Sequence, residues 1–152
     1  MIYVSLTTIP QRIKSIKKSI DSLINQTQKP DKIFINVPTK YKRFEEIVEE
    51  DQIPNFNDSR IEVTRCDDYG PGTKLLGSLK KLKKDSLIIL ADDDNIYEDY
   101  MIEKFYYYYS LAPNNAYSFY VHPLGSFGIG QGADGFAINT NYLDGIKIFY
   151  DK

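Results

Sequence analysis

Ser86-Leu87-Ile88-Ile89-Leu90-Ala91-Asp92-Asp93-Asp94-Asn95 decides how this chain is read. An uncharged, β-branched apolar run goes straight into three carboxylates. Its length and lack of charge predict a strand buried on both faces, as in a parallel sheet covered by helices. Carboxylates packed at the end of such a strand repel one another and cost stability unless something positive joins them. A divalent cation is the simplest partner. Mg²⁺ and Mn²⁺ take hard oxygen ligands and commonly share them with a phosphate-bearing substrate. In open α/β sheets the ligand crevice lies outside the carboxyl ends of the strands. The triplet therefore marks where a metal-nucleotide site is expected. A solvated acidic turn after a strand is the plainer reading of the same residues.

The segments on either side alternate in type. Before the triplet, Ile2–Leu6 predicts a strand. Thr8-Ile9-Pro10-Gln11 has the form of a capping box with Pro in the tolerated first turn. Ile13, Ile16, Ile20, Leu23 and Ile24 follow at helical spacing. Lys32–Val37 predicts a second strand and Ile61–Cys66 a third. Between them, Tyr41, Phe44, Ile47 and Val48 predict a short amphipathic helix. Leu75, Leu76, Leu79 and Leu82 predict a helix closing on basic Lys80–Lys84, a favourable helix end for cations. After the triplet come a helix over Glu98–Leu111, a strand over Tyr117–Val121, a glycine-rich stretch over Gly125–Gly135 and a strand over Gly135–Asn139. The stretch Asn141–Lys152 is ambiguous. This alternation implies βαβ crossovers and an α/β fold with a mainly parallel central sheet and helices on both faces.

Composition narrows the function classes. The 152 residues fit one domain, with 42% apolar and 26% charged residues, as in an ordinary soluble globular protein. A net charge of −2 gives no reason to expect nucleic acid. The longest apolar run is far too short for a transmembrane segment, and the N-terminus lacks the basic region of a signal peptide. A lone cysteine, Cys66, excludes an internal disulfide and fits a reducing, cytoplasmic setting.

Three groups of candidate residues follow predicted strands. Thr7, Thr8 and Arg12 come after the first, where hydroxyls, a helix start and an arginine suit a phosphate. Asp68 and Lys74 flank Gly70-Pro71-Gly72 after the third. Lys74 opens a helix, a poor place for a cation unless it meets an anion such as a diphosphate. The third group is Gly128–Gly135, with Asp134 as a polar contact on an acceptor-side loop. His122 reads as structural or exposed, and Cys66 as an inert core thiol. Tyr106–Tyr109 are consecutive and so point all round a helix.

Val4-Ser5-Leu6-Thr7-Thr8-Ile9-Pro10-x-Arg12, Tyr69-Gly70-Pro71-Gly72-Thr73-Lys74 and Asp92-Asp93-Asp94-Asn95-Ile96-Tyr97, in this order, resemble the GT-A class of glycosyltransferases, closest to family 2-like enzymes. The resemblance covers roughly residues 1–140. It implies a nucleotide-diphospho-sugar donor, a UDP-sugar in the first instance, and Mn²⁺ or Mg²⁺ held by the acidic motif. It also implies transfer of a hexosyl group to the hydroxyl of a glycan or other acceptor. On this reading Asp92 and Asp94 approach the metal. Thr7, Thr8, Arg12, Asp68, Lys74 and Asp93 hold the donor, and Lys74 or Arg12 adds positive charge. Members of the class run on to a further acidic motif that supplies the base in inverting enzymes. The late acidic residues here are Asp134, Asp144 and Asp151. The expectation is one short domain over residues 1–152, with Asp134 as the catalytic base or with the base missing.

The rivals are a nucleotidyltransferase, an aspartate-nucleophile phosphatase and a non-catalytic sugar-nucleotide-binding module. The first expects glycines after strand one, where Thr7–Arg12 has none. The second expects an acidic residue there, where this chain has threonine.

Overall fold

A computed structural model describes residues 1–145 of the chain. Asp151 and the far part of the ambiguous stretch Asn141–Lys152 lie outside the described residues. Strands β1 (Ile2–Thr7), β2 (Lys32–Pro38), β3 (Ile61–Cys66), β4 (Leu87–Leu90), β5 (Tyr117–Ser118), β6 (Val121–Leu124), β7 (Phe127–Gly130) and β8 (Phe136–Asn139) alternate with helices α1 (Lys17–Ile24), α2 (Thr73–Leu76) and α3 (Met101–Leu111). Six strands form one sheet in the order β3-β2-β1-β4-β8-β5. The β3-β2-β1-β4 block is parallel, with Val4 opposite Ile33 and Ile89. β8 runs antiparallel to β4, with Ala137 opposite Ile89, and β5 is antiparallel to β8. The expected mainly parallel sheet is present, and its antiparallel strands lie together at one side. The fold is the expected α/β arrangement around a mainly parallel sheet.

The apolar strands alternate their side chains between two cores, as a period of two requires. Val4, Leu6, Ile33, Ile35, Leu87 and Ile89 pack under Ile13, Ile16, Ile20 and Leu23, with Ile102 and Phe105 from α3. Tyr3, Phe34 and Ile88 face the other way, against Leu79, Leu82 and Leu143. Each fully buried isoleucine stabilises the fold by about 1.5–3 kcal/mol, which explains why β4 carries no polar residue before its end. No helix among the described residues is long and apolar enough to cross a membrane.

Four expectations are corrected. No helix forms over residues 41–48. A span of about two turns is too short to offset nucleation unaided. Its groups bond elsewhere: the Tyr41 hydroxyl donates to the Thr8 carbonyl at 3.0 Å and Lys42 N donates to Asp68 Oδ2 at 2.7 Å. The helix expected over 75–82 stops at Leu76, with 3-10 turns at Gly70–Gly72 and Leu79–Lys81. The Thr8–Gln11 capping box does not form. Instead Ile13 N donates to Ile9 O at 3.1 Å and Ile16 N to Arg12 O at 3.1 Å in turns that lead into α1. Finally, the strand expected over Tyr117–Val121 is only Tyr117–Ser118. The next residues form a β6-β7 hairpin, in which Gly125 supplies the φ of +60° that the tight turn needs.

Candidate active site

The carboxyl ends of β1, β3 and β4 lie along one edge of the parallel block. A cleft of about 150 Å³ opens there, lined by Thr7, Thr8, Arg12, Asp68, Lys74, Asp92 and Asp93. Every residue expected to hold a nucleotide is therefore in one cleft, although they come from three separate strand ends. At Tyr41 and Asp68 it adjoins a more open hollow of about 590 Å³, walled also by Thr39, Lys40, Lys42, Asp67 and Tyr69. Asp94 stands at the mouth with its side chain 55% exposed. Asp134 lies elsewhere. It lines a cavity of about 490 Å³ with Asn95, Tyr97, Glu98, Tyr100, Phe119 and Tyr120, directly beyond the acidic triplet.

The triplet is compensated by basic side chains. Lys74 Nζ pairs with Asp92 Oδ1. The Arg12 guanidinium bridges Asp93 Oδ1 at 3.2 Å and Asp94 Oδ2 at 2.5 Å. Asp93 is nearly fully buried, and burial pushes its carboxyl above the ordinary range. The Thr8 hydroxyl and Arg12 oppose this, while Asp94 adds to it. Asp68 behaves differently. Burial pulls its carboxyl up, but donation from Lys42 N and Gly70 N outweighs this and holds it below the usual value. Three buried polar atoms of the cleft make no well-formed hydrogen bond among the described residues, although the Thr8 hydroxyl lies near enough to Asp93 to favour its charged form: Thr8 Oγ1, Arg12 Nε and Asp93 Oδ2.

These residues fit a divalent cation in one way only. Their oxygens are the hard donors that Mg²⁺ and Mn²⁺ prefer, and Asp93 keeps a spare oxygen. Yet among the described residues no three His, Cys, Asp or Glu side chains converge on one point. The set suits an ion held by one or two carboxylates with substrate phosphates completing its shell, the usual arrangement for Mg²⁺. It does not suit an all-protein cage.

Buried polar side chains that the sequence reading missed hold this edge in place. Asn36, fully buried at the end of β2, donates from Nδ2 to Ser5 Oγ at 2.9 Å, Leu6 O at 3.0 Å and Lys74 O at 3.3 Å. Ser5 Oγ donates to Lys74 O at 2.5 Å, so the Lys74 backbone is fixed twice. On the other side, Ser19 Oγ donates to Asn95 O at 2.5 Å, and Ser22 Oγ accepts from Tyr97 N at 3.1 Å. Gln26 donates to Glu98 O at 2.8 Å and accepts from Ile102 N at 2.9 Å. Ser19, Ser22 and Gln26 recur at the same helical spacing as the buried isoleucines. That spacing was the available signal that they face the protein rather than solvent.

Tyr97 joins the triplet to the Asp134 loop. Its hydroxyl accepts from Asp92 N at 2.7 Å and lies 3.3 Å from Ala133 O, and Asn95 Nδ2 donates to the same carbonyl. Tyr97→Phe leaves Asp92 N without an acceptor. The expected cost is about 1–3 kcal/mol, read as a lowered denaturant midpoint. An unchanged midpoint would show that water replaces the hydroxyl.

The comparisons bear on the family and the fold. The sequence profile of Glycosyl transferase family 2 matches residues 8–149. The chain belongs to that family. Among curated protein sequences none matches this chain. TarS residues 1–349 from S. aureus superpose with a TM-score of 0.63 at 12% identity, over 97% of this chain and 49% of that one. The same TarS portion in complex with UDP-GlcNAc gives 0.64 at 11%, over 97% and 47%. A 4-diphosphocytidyl-2C-methyl-D-erythritolsynthase from Anaerococcus prevotii gives 0.65 at 13%, over 99% and 74%. At these identities the likeness shows the shared fold. The chain spans about half the length of the TarS structures.

Proposed function

We propose that this chain binds a nucleotide-diphospho-sugar and transfers its sugar to an acceptor hydroxyl. One observation carries the reading: residues from three distant strand ends, each suited to a nucleotide or its phosphates, line one cleft beside the acidic triplet. Membership of Glycosyl transferase family 2 supports transferase chemistry. The TarS complex with UDP-GlcNAc supports a UDP-sugar as the donor to try first and hexosyl transfer as the reaction.

The chain's own residues divide the work. Asp68 and Tyr41 line the junction with the more open hollow and suit the nucleoside. Arg12 and Lys74 suit the diphosphate. Asp92 and Asp94 would hold Mn²⁺ or Mg²⁺, with Asp93 behind them. The ion, when bound, stabilises the charge that develops on the leaving diphosphate. Thr8 presents a hydroxyl without a partner to the same cleft. Asp134 stands in the adjoining cavity and suits the general base that takes the proton from an acceptor hydroxyl. The aromatic wall of Tyr100, Phe119 and Tyr120 there suits the apolar face of a sugar, so a glycan acceptor is the leading choice. A cytoplasmic setting belongs to the same reading.

Calorimetry with UDP, in Mn²⁺ and in EDTA, tests the donor site. Metal-dependent binding is expected, weakened far more by Asp94→Asn than by Asp21→Asn, which alters only an exposed ion pair on α1. Equal affinity in EDTA would remove the metal from the reading. Asp134→Asn is expected to abolish transfer while leaving UDP binding intact. Unchanged transfer would put the base elsewhere. Binding without transfer in the parent chain, over a panel of acceptors, would identify a binding module instead.

A further inference from the structure

The cleft holds both halves of an unfinished contact. Arg12 Nε is a buried donor without an acceptor, and Asp93 Oδ2 is a buried acceptor without a donor. Asp93 is 4% exposed and lines the same cleft as Arg12. A buried donor and a buried acceptor each left unpaired cost free energy that a ligand can recover. An anion suits the first and a cation suits the second. Meanwhile the remaining capacity of these groups is spent on each other, in the pairs Arg12–Asp93, Arg12–Asp94 and Lys74–Asp92.

We propose that Arg12 and Lys74 are exchangeable counter-ions. They hold the acidic triplet in the free chain and pass to a nucleoside diphosphate when a divalent cation takes the carboxylates. Each ligand then binds better in the presence of the other than alone. The inference rests on the reading of the cleft as a diphosphate-metal site.

The physical reasoning is a matter of what each ligand must displace. A divalent cation entering alone meets carboxylates already paired, and pushes two positive side chains into a site with no anion to receive them. A diphosphate entering alone draws Arg12 and Lys74 towards itself and leaves three adjacent carboxylates facing its own negative charge. Entering together, the cation takes the carboxylates and the diphosphate takes the basic side chains, so neither ligand is left facing like charge alone. The Arg12–Asp94 pair exchanges easily: its side chains are 39% and 55% exposed, and an ion pair so close to water contributes little. The Arg12–Asp93 and Lys74–Asp92 pairs are more buried and carry the cost of the exchange. The backbones do not have to move: Lys74 O is fixed by Ser5 and Asn36, so only the flexible side chain swings.

Such coupling is reciprocal, so each ligand strengthens the other by the same factor. Calorimetry on the whole chain measures it, with Mn²⁺ alone, UDP alone and each titrated in the presence of the other. Arg12→Gln and Lys74→Gln are expected to tighten Mn²⁺ binding in the absence of nucleotide, by roughly twofold to fivefold, the scale of one partly exposed ion pair. They are expected to weaken UDP binding and to shrink the coupling factor. Lys17→Gln, which breaks the distant Lys17–Asp21 pair, is the control and moves none of these. Thermal unfolding of each variant confirms that it folds. Metal-dependent UDP binding with Mn²⁺ affinity unmoved or lowered in both variants overturns the exchange and leaves the site reading intact. No UDP binding to the parent chain under any condition overturns the site reading and the exchange with it.

Discussion

Asp93→Asn is expected to raise the stability of the fold while reducing metal-dependent UDP affinity by roughly tenfold to a hundredfold, the range seen when groups supporting a metal are removed. The stability half follows from burial. Asp93 is a carboxylate with one oxygen on Arg12 at 3.2 Å and the other unpaired. An asparagine keeps the acceptor for Arg12 and carries no charge into the core. The amide nitrogen that replaces the second oxygen can donate to the Thr8 hydroxyl beside it, a bond worth about 1 kcal/mol. The pH dependence has a definite sign. Burial raises the Asp93 carboxyl above its unfolded value, so the folded state holds that proton more tightly. Its contribution to stability is full below the unfolded pKa and is lost as pH rises through the folded one. Melting temperatures of parent and variant should therefore converge in acid and diverge towards neutrality, with the variant higher. A variant less stable at pH 7 would show that the ionised Asp93–Arg12 pair stabilises the fold outright.

Gly77→Ala is expected to be the most damaging single methyl group in the site. Gly77 follows α2 with ordinary helical backbone angles, so glycine is not required there by conformation. It is required by space. An added Cβ would lie 2.7 Å from Cβ, Cγ and Oδ1 of Asn36. Asn36 cannot retreat without releasing its bonds to Ser5, Leu6 and Lys74. Overpacking costs about 1–3 kcal/mol, and breaking a buried polar network adds about 1–3 kcal/mol. The denaturant midpoint should fall with the m-value unchanged. UDP affinity should fall too, because Lys74 is carried on the same backbone. A fall in stability with UDP affinity intact would show that Lys74 does not need that anchor.

The parallel half of the fold was legible because burial on both faces leaves a plain mark. Ile2–Leu6, Lys32–Val37 and Leu87–Leu90 are apolar runs of strand length, and a carboxyl-end cleft follows from their order. Thr7 and Asp92 were legible for the same reason, each coming where a buried run stops, while Asp68 follows the half-buried β3 and was marked by the Gly70-Pro71-Gly72 turn beside it. What compensates the triplet was not legible. Charge repulsion required a positive partner, and Arg12 and Lys74 provide one within the chain. Only three-dimensional closure shows that residues 82 and 18 positions away reach those carboxylates. The 41–48 helix failed because amphipathic spacing is a statement about burial. Tyr41 and Val48 are indeed buried, but tertiary bonds to Thr8 and Asp68 replaced the helical ones. The β6-β7 hairpin was missed because its side chains are largely exposed. A strand without a buried face carries no alternation to read.

The sheet changes direction at β4, which pairs in parallel with β1 and antiparallel with β8. That seam makes the fold divisible. Every residue lining the cleft comes from the segments before Asn95, and the hairpin and β8 come after it. The two parts touch near the triplet through the Ala133 carbonyl, which receives Asn95 and faces Tyr97. The hairpin from Val121 to Gly130, which lies outside the main sheet, can thus be exchanged for a different loop, provided the flanking chain keeps the Ala133 carbonyl at that point. The chain is in effect a fixed socket with a replaceable face, and selection or protein engineering can alter one without rebuilding the other.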